Sequence, residues 1–238
     1  MKIGPYRFAP SLLMTVAGAA FVALTVSLGN WQTGRAAQKQ AMQDAWNRGV
    51  AAKPVDLGRE AKLAPDALAW QRVTVRGEWD AARTILVDNR VYGGRPGYHV
   101  VTPLRPEGAT RWVLVNRGWA PGGASRAELP KVPARAGVVT VEGVAVVPPE
   151  KVFELGEVPP GETVWPNLVL DRYAKWSGLE VAPVVVQQTN DAGDGLVRDW
   201  PRPDFGIDKH KAYALQWYAL AAVTVVLYVV LNIKRDRS

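Results

Sequence analysis

A histidine at the start of the C-terminal apolar segment is the side chain best placed for ligand chemistry. His210 precedes Tyr213 by three residues and Trp217 by seven, and at 3.6 residues per turn the three share one helix face. A histidine above two aromatic rings can ligate a haem iron whose macrocycle lies along the helix, with Lys209 and Lys211 close enough to attract its propionates. The alternative is an interfacial histidine over an aromatic belt, and spacing alone favours it.

Two Asn-Arg pairs with nearby glycines form a second candidate site. The positions are Asn89 and Arg90 in the first pair, and Asn116, Arg117, Gly118 and Trp119 in the second. Each pair is predicted to end a strand and enter a tight turn, because Asn satisfies turn backbone and Gly adopts positive φ. An arginine fixed there can grip a carboxylate. The alternative is an internal ion pair with Asp88, Glu78 or Glu142.

Other reactive side chains are few. The sequence has no HExxH, GxSxG, P-loop or GxGxxG motif, and it has no cysteine. Ser125 lies in a GGASR turn where a serine–lysine dyad would make the chain a membrane-anchored hydrolase, but nothing near it is typical of an activating site. His99 alternates with valines on a predicted strand, which favours a structural histidine. The sequence therefore offers no catalytic residue and no metal site.

Two apolar segments without Asp, Glu, Lys, Arg or His lie at opposite ends of the 238-residue chain. A bilayer core about 30 Å thick needs roughly 20 apolar residues in a helix, and both segments reach that length. They predict transmembrane helices over residues 11–30 and 212–233, a β-rich domain over residues 31–211, and tails at residues 1–10 and 234–238. A cleaved signal peptide is the alternative for the first segment, although such apolar stretches usually span only about 7–15 residues.

Basic residues at both ends indicate the orientation of the chain. Lys2 and Arg7 precede the first segment, and Lys234, Arg235 and Arg237 follow the second. Because short basic flanks stay in the cytoplasm, we expect cytoplasmic tails and a central domain on the other side of the membrane. A domain without cysteine is compatible with a bacterial periplasm, so the expected location is a bacterial inner membrane. The net charge of +7 comes from scattered residues. It therefore argues against nucleic acid and favours attraction to anionic lipid or to the acidic edge of a cofactor.

Runs of alternating or β-branched residues bounded by turn residues predict strands. The runs are Arg72–Trp79, Thr84–Asn89, Tyr98–Leu104, Trp112–Asn116, Val138–Val147, Val164–Leu170 and Pro183–Thr189. A helix over Trp31–Gly49 is predicted to stop at Gly49, and a short helix over Asp171–Ser177 to be capped by Asp171. The predicted fold class is a membrane protein with two transmembrane helices flanking a β-rich α+β extracytoplasmic domain, a small antiparallel barrel or sandwich.

Several motifs, taken in order, resemble the surfeit locus one protein family of cytochrome c oxidase assembly factors. The matching stretches are LGNWQ at Leu28 to Gln32, GEW at Gly77 to Trp79, DNR at Asp88 to Arg90 with GGRPGYHVVTPL, VNRGWAP at Val115 to Pro121, WPNLVLD followed by GLEVAPVVVQ, and HKAYALQW at His210 to Trp217. No single motif is highly specific, but the ordered set spans most of the chain.

The resemblance implies a protein that is not an enzyme and that assists maturation of a haem-copper oxidase. Family members are described as handling haem a for the catalytic subunit of cytochrome c oxidase, which makes that subunit the expected partner, with the haem a synthesis machinery as a further one. His210 matches the family's proposed haem contact, so His210, Tyr213 and Trp217 become the predicted transient site for haem a. Weak ligation of haem a suits a protein that passes the haem on to the catalytic subunit. The alternative is a structural assembly scaffold that binds no haem.

Overall fold

The computed structural model describes residues 2–3, 6–58, 64–123, 125, 128–152, 159 and 161–235. The predicted tail residue Arg237 and the neighbours of Ser125 at positions 124, 126 and 127 lie outside the described residues. The chain divides into two compact units: residues 45–202, and a second unit that combines the residues up to Asp44 with those from Pro203 onward.

Two long helices and many short strands make up the chain. In order, they are β1 Lys2–Ile3, β2 Tyr6–Phe8, α1 Leu12–Ala51, β3 Val55–Asp56, α2 Pro65–Leu68, β4 Arg72–Trp79, a 3-10 turn Ala81–Arg83, β5 Ile85–Tyr92, β6 Arg95–Pro106, β7 Trp112–Pro121, β8 Val138–Val146, β9 Val164–Trp165, α3 Leu170–Ser177, β10 Val181–Gln188, α4 Ile207–Asn232 and β11 Ile233–Arg235.

Helices α1 and α4 contain the two predicted spans. Both are long and apolar enough to cross a membrane. In the most apolar stretch of 18 residues in each helix, only 11% of the residues are buried. That exposure is expected of lipid-facing helices and not of helices in a soluble core. Helix α1 runs on without a break to Ala51, so the helix predicted after the first span is confirmed.

The predicted helix stop at Gly49 is wrong. The glycine lies inside α1 because of a close approach: a Cβ at this position would sit 2.5 Å from the carbonyl oxygen of Trp70. Sequence reasoning took Gly49 for a C-terminal cap, but its function here is to let two backbones touch.

The two ends of the chain meet in a small antiparallel sheet of order β1-β2-β11. Ile233 pairs with Phe8 and Arg235 pairs with Tyr6. The Phe8 ring also packs edge-on against Tyr228 of α4, with ring centroids 6.0 Å apart. The two tails therefore lie at the same end of the helix pair, as a chain with two membrane spans requires.

The predicted small barrel is confirmed in residues 45–202. The sheet order β3-β4-β8-β10-β7-β6-β5-β9 closes through an additional β4–β6 pairing, so β4, β8, β10, β7 and β6 form a five-stranded barrel. Most pairings are antiparallel, but β10 runs parallel to β7. Strand β6, with 12 residues, is long enough to pair with β4, β5 and β7. Closure removes the exposed edges that an open sheet would present.

Apolar residues fill both faces of the barrel wall. Val113, Val115, Val184 and Val186 belong to the cluster that also contains Leu104, while their neighbours Leu114 and Val185 pack with Tyr173 of α3 on the opposite face. This alternation follows from the two-residue period of a strand. Helix α3 ends at Gly178, which has the left-handed conformation, but the predicted cap Asp171 lies in its first turn and Val169 takes the N-cap position.

Candidate functional site

His210 lies in the first turn of α4 and is hydrogen-bonded to Gln32 of α1. Its Nδ1 is 2.7 Å from the Oε1 of Gln32. Because an amide oxygen only accepts, Nδ1 carries a proton, and the neutral tautomer that fits this contact has its lone pair on Nε2. Among the described residues, Nε2 has no hydrogen-bond partner. This tautomer is the one in which Nε2 can coordinate a metal, since a ligating histidine commonly donates its other N–H to a fixed acceptor.

Two polar contacts near His210 hold α4 against α1. The hydroxyl of Tyr218 donates to Oδ1 of Asn30 at 2.8 Å and lies 3.3 Å from the Oγ1 of Thr33. The Tyr218 ring covers Gly29, where a Cβ would come within 2.6 Å of the ring. Gly29 therefore allows the two helices to approach closely, as small residues do between membrane helices.

The buried residues of α4 are seven positions apart. On α4 they are Ala214 and Ala221, and Tyr228 follows seven residues later with its hydroxyl 2.7 Å from the Oγ1 of Thr15. A seven-residue repeat is typical of two helices packed side by side. His210 lies four residues before Ala214 and so falls on the same face of α4. The contact between His210 and Gln32 therefore lies on the same face of α4 as Ala214, Ala221 and Tyr228.

Tyr213 and Trp217 lie on α4 close to His210 but do not join its hydrogen bond. Tyr213 is 43% exposed and Trp217 is partly exposed. No hydrogen bond or ring contact among the described residues links either ring to His210. Sequence reasoning missed Gln32 and Tyr218 as members of this site. The usable signal was the run LGNWQ at the end of the first span, which supplies Gly29, Asn30 and Gln32.

The prediction that the two Asn-Arg pairs end their strands is wrong, because both pairs lie on β-bulges inside longer strands. In β5 the register passes from Val87 opposite His99 to Arg90 opposite Gly97. In β7 Asn116 pairs with Val101 and Gly118 with Val100, so Arg117 is the inserted residue. A bulge adds one residue and turns a side chain to the other face while the strand continues.

The first pair makes mainly backbone contacts. Asn89 has a positive φ of 58°, and its N–H donates to the carboxylate of Asp88 at 2.6 Å. The guanidinium of Arg90 donates to the carbonyl of Pro166 at 3.3 Å. Burial lowers the pKa of Arg90, and the neighbouring Asp88 carboxylate offsets part of that effect. Arg90 therefore helps to fix the β5 bulge and forms no close ion pair among the described residues.

The second pair contains a buried ion pair. The Nη2 of Arg117 donates to Asp194 and to the carbonyl of Pro133, each at 2.9 Å. Its guanidinium carbon also lies 5.4 Å from the ring centroid of Trp79. An internal ion pair was one of the two predicted alternatives, but its acid is Asp194 and not Asp88, Glu78 or Glu142. Asp194 was missed because it lies 77 residues away in the loop that follows β10.

The other two residues of the second motif are a buried asparagine, Asn116, and a glycine, Gly118, that allows a close backbone approach. Asn116 is 8% exposed, and its Oδ1 is buried with no hydrogen-bond partner among the described residues. Gly118 has a φ of 143°, and a Cβ there would lie 2.8 Å from the carbonyl oxygen of Val197. Glycine at this position admits the loop after β10, and Trp119 pairs with Val197 in that loop.

His99 and Ser125 are the remaining predicted candidates. His99 packs edge-on against Trp200 with ring centroids 5.3 Å apart. Burial, aided by the positive charge of Arg90, lowers the pKa of His99 from 6.5 to about 4, so the ring is neutral at pH 7. The carbonyl of Ser125 accepts from the N–H of Glu128, and its hydroxyl forms no hydrogen bond with a described residue.

Known proteins resemble this chain along most of its length. The SURF1 family profile matches residues 19–222. A SURF1-like protein of Caenorhabditis elegans is 26% identical over 247 residues, covering 92% of this chain and 72% of that protein. Surfeit locus protein 1 of Takifugu rubripes is 25% identical, covering 90% of this chain and 94% of that protein. Surfeit locus protein 1 of Mus musculus is also 25% identical, over 87% of this chain and 71% of its own length.

Proposed function

Because this chain belongs to the SURF1 family, we propose that it is a membrane-bound assembly factor for cytochrome c oxidase that holds haem a transiently at His210. Family membership supports the role in oxidase assembly. The haem a site is the further step of the proposal, and the observation that carries it is the hydrogen bond between His210 and Gln32.

The state of His210 fits an axial ligand. Its Nδ1–H is donated to Gln32 at 2.7 Å, and its Nε2 makes no hydrogen bond with the described residues. Haem a, when bound, supplies an iron that takes an imidazole nitrogen as an axial ligand. Tyr213 and Trp217 offer apolar ring surface on the same helix, and the exposed Lys209 and Lys211 offer charge for propionates. One histidine without a second nearby ligand suits release more than permanent binding.

The proposed location is the inner membrane of a bacterium, with α1 and α4 as its two spans. Both tails would lie in the cytoplasm and the barrel in the periplasm. The tail sheet supports this arrangement because it brings Arg7, Lys234 and Arg235 together at one end of the helix pair. Clustered basic residues beside a span favour the cytoplasmic side and its anionic lipid. The partner proposed for haem transfer is the catalytic subunit of the oxidase, with the haem a synthesis machinery as the source.

The test is complementation of cells that lack this protein. Cells would receive the wild-type chain, His210→Ala, or the control Arg76→Gln, which alters an exposed arginine paired with Glu107. The account predicts equal amounts of all three proteins in the membrane. It also predicts that only the His210→Ala cells contain less haem a in the oxidase, measured by membrane spectra. Full oxidase loading with His210→Ala would exclude haem handling at His210 and favour the alternative, an assembly scaffold without haem.

A further inference from the structure

A polar pocket lies beside the barrel, in the unit formed by residues 45–202. It has a volume of about 500 Å³ and is lined by strands β4, β7 and β8, by the end of β10, and by the segments before β8 and after β10. Its polar and charged lining residues are Arg117, Arg135, Gln188, Asn190, Asp191 and Asp194. The proposed haem contact at His210 does not involve this pocket, so its chemistry is a separate question.

Two buried arginines share one buried carboxylate at the pocket. The side chain of Arg117 is 3% exposed and that of Arg198 is 8% exposed, and both donate to Asp194, which is 9% exposed. The distances are 2.9 Å from Arg117 and 2.7 Å from Arg198. The other nearby acid, Asp191, is 3.9 Å from Arg198 and 91% exposed, so water screens its charge. The cluster therefore carries one uncompensated positive charge.

The donors of this cluster are only partly satisfied. Among the described residues, Nε and Nη1 of Arg117 and Nε of Arg198 have no hydrogen-bond partner. Burial lowers the pKa of Arg117, and its bond to Asp194 offsets this only in part. Leaving a buried charge and its N–H groups unpaired is costly. In native structures a bound water or ion is among the common explanations for buried polar groups of this kind.

We propose that this pocket binds the carboxylate group of a ligand against Arg117. The neighbouring Nε–H and Nη–H groups of a guanidinium match the two oxygens of a carboxylate in one plane. A single negative charge neutralises the cluster of Arg117, Arg198 and Asp194, whereas a phosphate dianion would leave it with a net negative charge. The class of ligand is therefore an organic monocarboxylate, either a small molecule or the C-terminus of a protein.

Access to Arg117 depends on the segment of residues 128–137. This segment has no helix or strand, and its Pro133 carbonyl accepts from Nη2 of Arg117 at 2.9 Å. Carboxylate binding displaces that carbonyl and opens the guanidinium to the pocket. Because a charged oxygen is a stronger acceptor than a neutral carbonyl, the exchange favours the ligand.

The test is thermal unfolding of the full chain in detergent, followed by tryptophan fluorescence. Sodium acetate and sodium chloride would be compared at equal ionic strength at pH 7, with inorganic phosphate as a third anion. A ligand that binds only the folded state raises Tm with its concentration. The account predicts a saturable rise in Tm of several degrees with acetate and a smaller rise with phosphate. Equal Tm values in acetate and chloride, or a larger rise with phosphate, would overturn the proposal.

Variants tie the effect to the pocket. Arg117→Gln is expected to lose the acetate response, while Arg76→Gln, the same charge change at an arginine 65% exposed, keeps it. Ala192→Trp fills the pocket and leaves the arginines intact. It tests the same site if Arg117→Gln does not fold, and it should also lose the acetate response. A response that survives in either pocket variant would contradict the assignment. A short peptide then distinguishes a small-molecule ligand from a protein C-terminus. If the ligand is a protein C-terminus, the peptide with a free C-terminus should bind better than acetate, and the same peptide with an amidated C-terminus should not.

Discussion

The indole Nε1–H of Trp119 donates to the backbone carbonyl of Arg90 at 2.8 Å. This bond joins the bulge in β7 to the bulge in β5, across strand β6 that separates them. The Trp119 ring also lies 5.4 Å from the ring of Tyr92 and covers Gly97, where a Cβ would come within 2.6 Å of the indole. The two Asn-Arg motifs are therefore one structural unit, and Trp119 is the residue that connects them.

Replacing Trp119 with Phe should destabilise the barrel. Phe keeps an aromatic ring over Gly97 but removes the indole N–H that donates to the Arg90 carbonyl, which costs about 1–3 kcal/mol. The free energy of unfolding in urea, followed by fluorescence, measures the loss. Trp31→Phe, at a tryptophan 58% exposed, is the control and should change it by less than about 0.5 kcal/mol. Equal values for the two variants would show that the bond contributes nothing.

Replacing Gly29 with Ala should separate α1 from α4. The added Cβ would lie 2.6 Å from the Tyr218 ring, so the helices cannot keep their spacing and the Tyr218–Asn30 bond is lost. Gly34→Ala is the matched control, because no atom lies within 4 Å of its Cβ position. Tm in detergent should fall for Gly29→Ala and stay the same or rise for Gly34→Ala, since Ala favours helix over Gly by about 1 kcal/mol. A similar Tm for both would contradict the packing described for Gly29.

The stability of the barrel should fall between pH 6.5 and pH 4 because of His99. Its pKa is about 4 in the folded chain, lowered mainly by burial, and 6.5 is its ordinary value. In this range the unfolded chain binds the proton more readily, so acid favours unfolding. The contribution of the neutral His99 ring to the free energy of unfolding is complete above pH 6.5 and is lost as the pH falls towards 4. Tm measured across this range should fall less steeply for His99→Gln than for the wild type, and parallel curves would count against the lowered pKa.

Removing the Gln32 side chain should weaken haem retention without removing the histidine. In Gln32→Ala the Nδ1–H of His210 loses its acceptor, and loss of such a partner typically costs about 10–100-fold in metal affinity. Gln32→Glu keeps an oxygen acceptor and should retain haem. Gln38→Ala, at an exposed glutamine that contacts Arg35, is the control. The measurement is the amount of haem that stays bound after dialysis against detergent. If Gln32→Ala retains as much haem as Gln38→Ala, Gln32 does not contribute to haem binding.

Local sequence patterns predicted the helices and the barrel wall, because both depend on short-range periodicity. The alternation in Arg72–Trp79 gives β4 with the predicted bounds, and the apolar runs give α1 and α4. Strands β5 and β7 were predicted too short because a bulge interrupts alternation without ending the strand. The strand predicted over Val164–Leu170 is only two residues long, because Pro166 follows β9 and has no N–H to donate to a neighbouring strand.

The partners in the sites could not be predicted, because they are distant along the chain. His210 was identified from spacing, but Gln32 lies 178 residues away and meets it only through the packing of α4 on α1. Asp194 is 77 residues from Arg117, in a loop without periodicity. Gly49 was misread because a glycine that ends a helix and one that admits a neighbouring backbone have the same local sequence. In each case the missing information was a tertiary contact.

The central claim is that His210 holds haem a through Nε2. The most direct measurement is the visible absorption spectrum of the full chain, co-expressed with the haem a synthesis enzymes and purified in detergent, for the wild type and His210→Ala. The account predicts a haem a band in the wild type that is lost in His210→Ala, with both proteins showing the same Tm. A wild-type protein without the band, or a variant that keeps it, would contradict the claim.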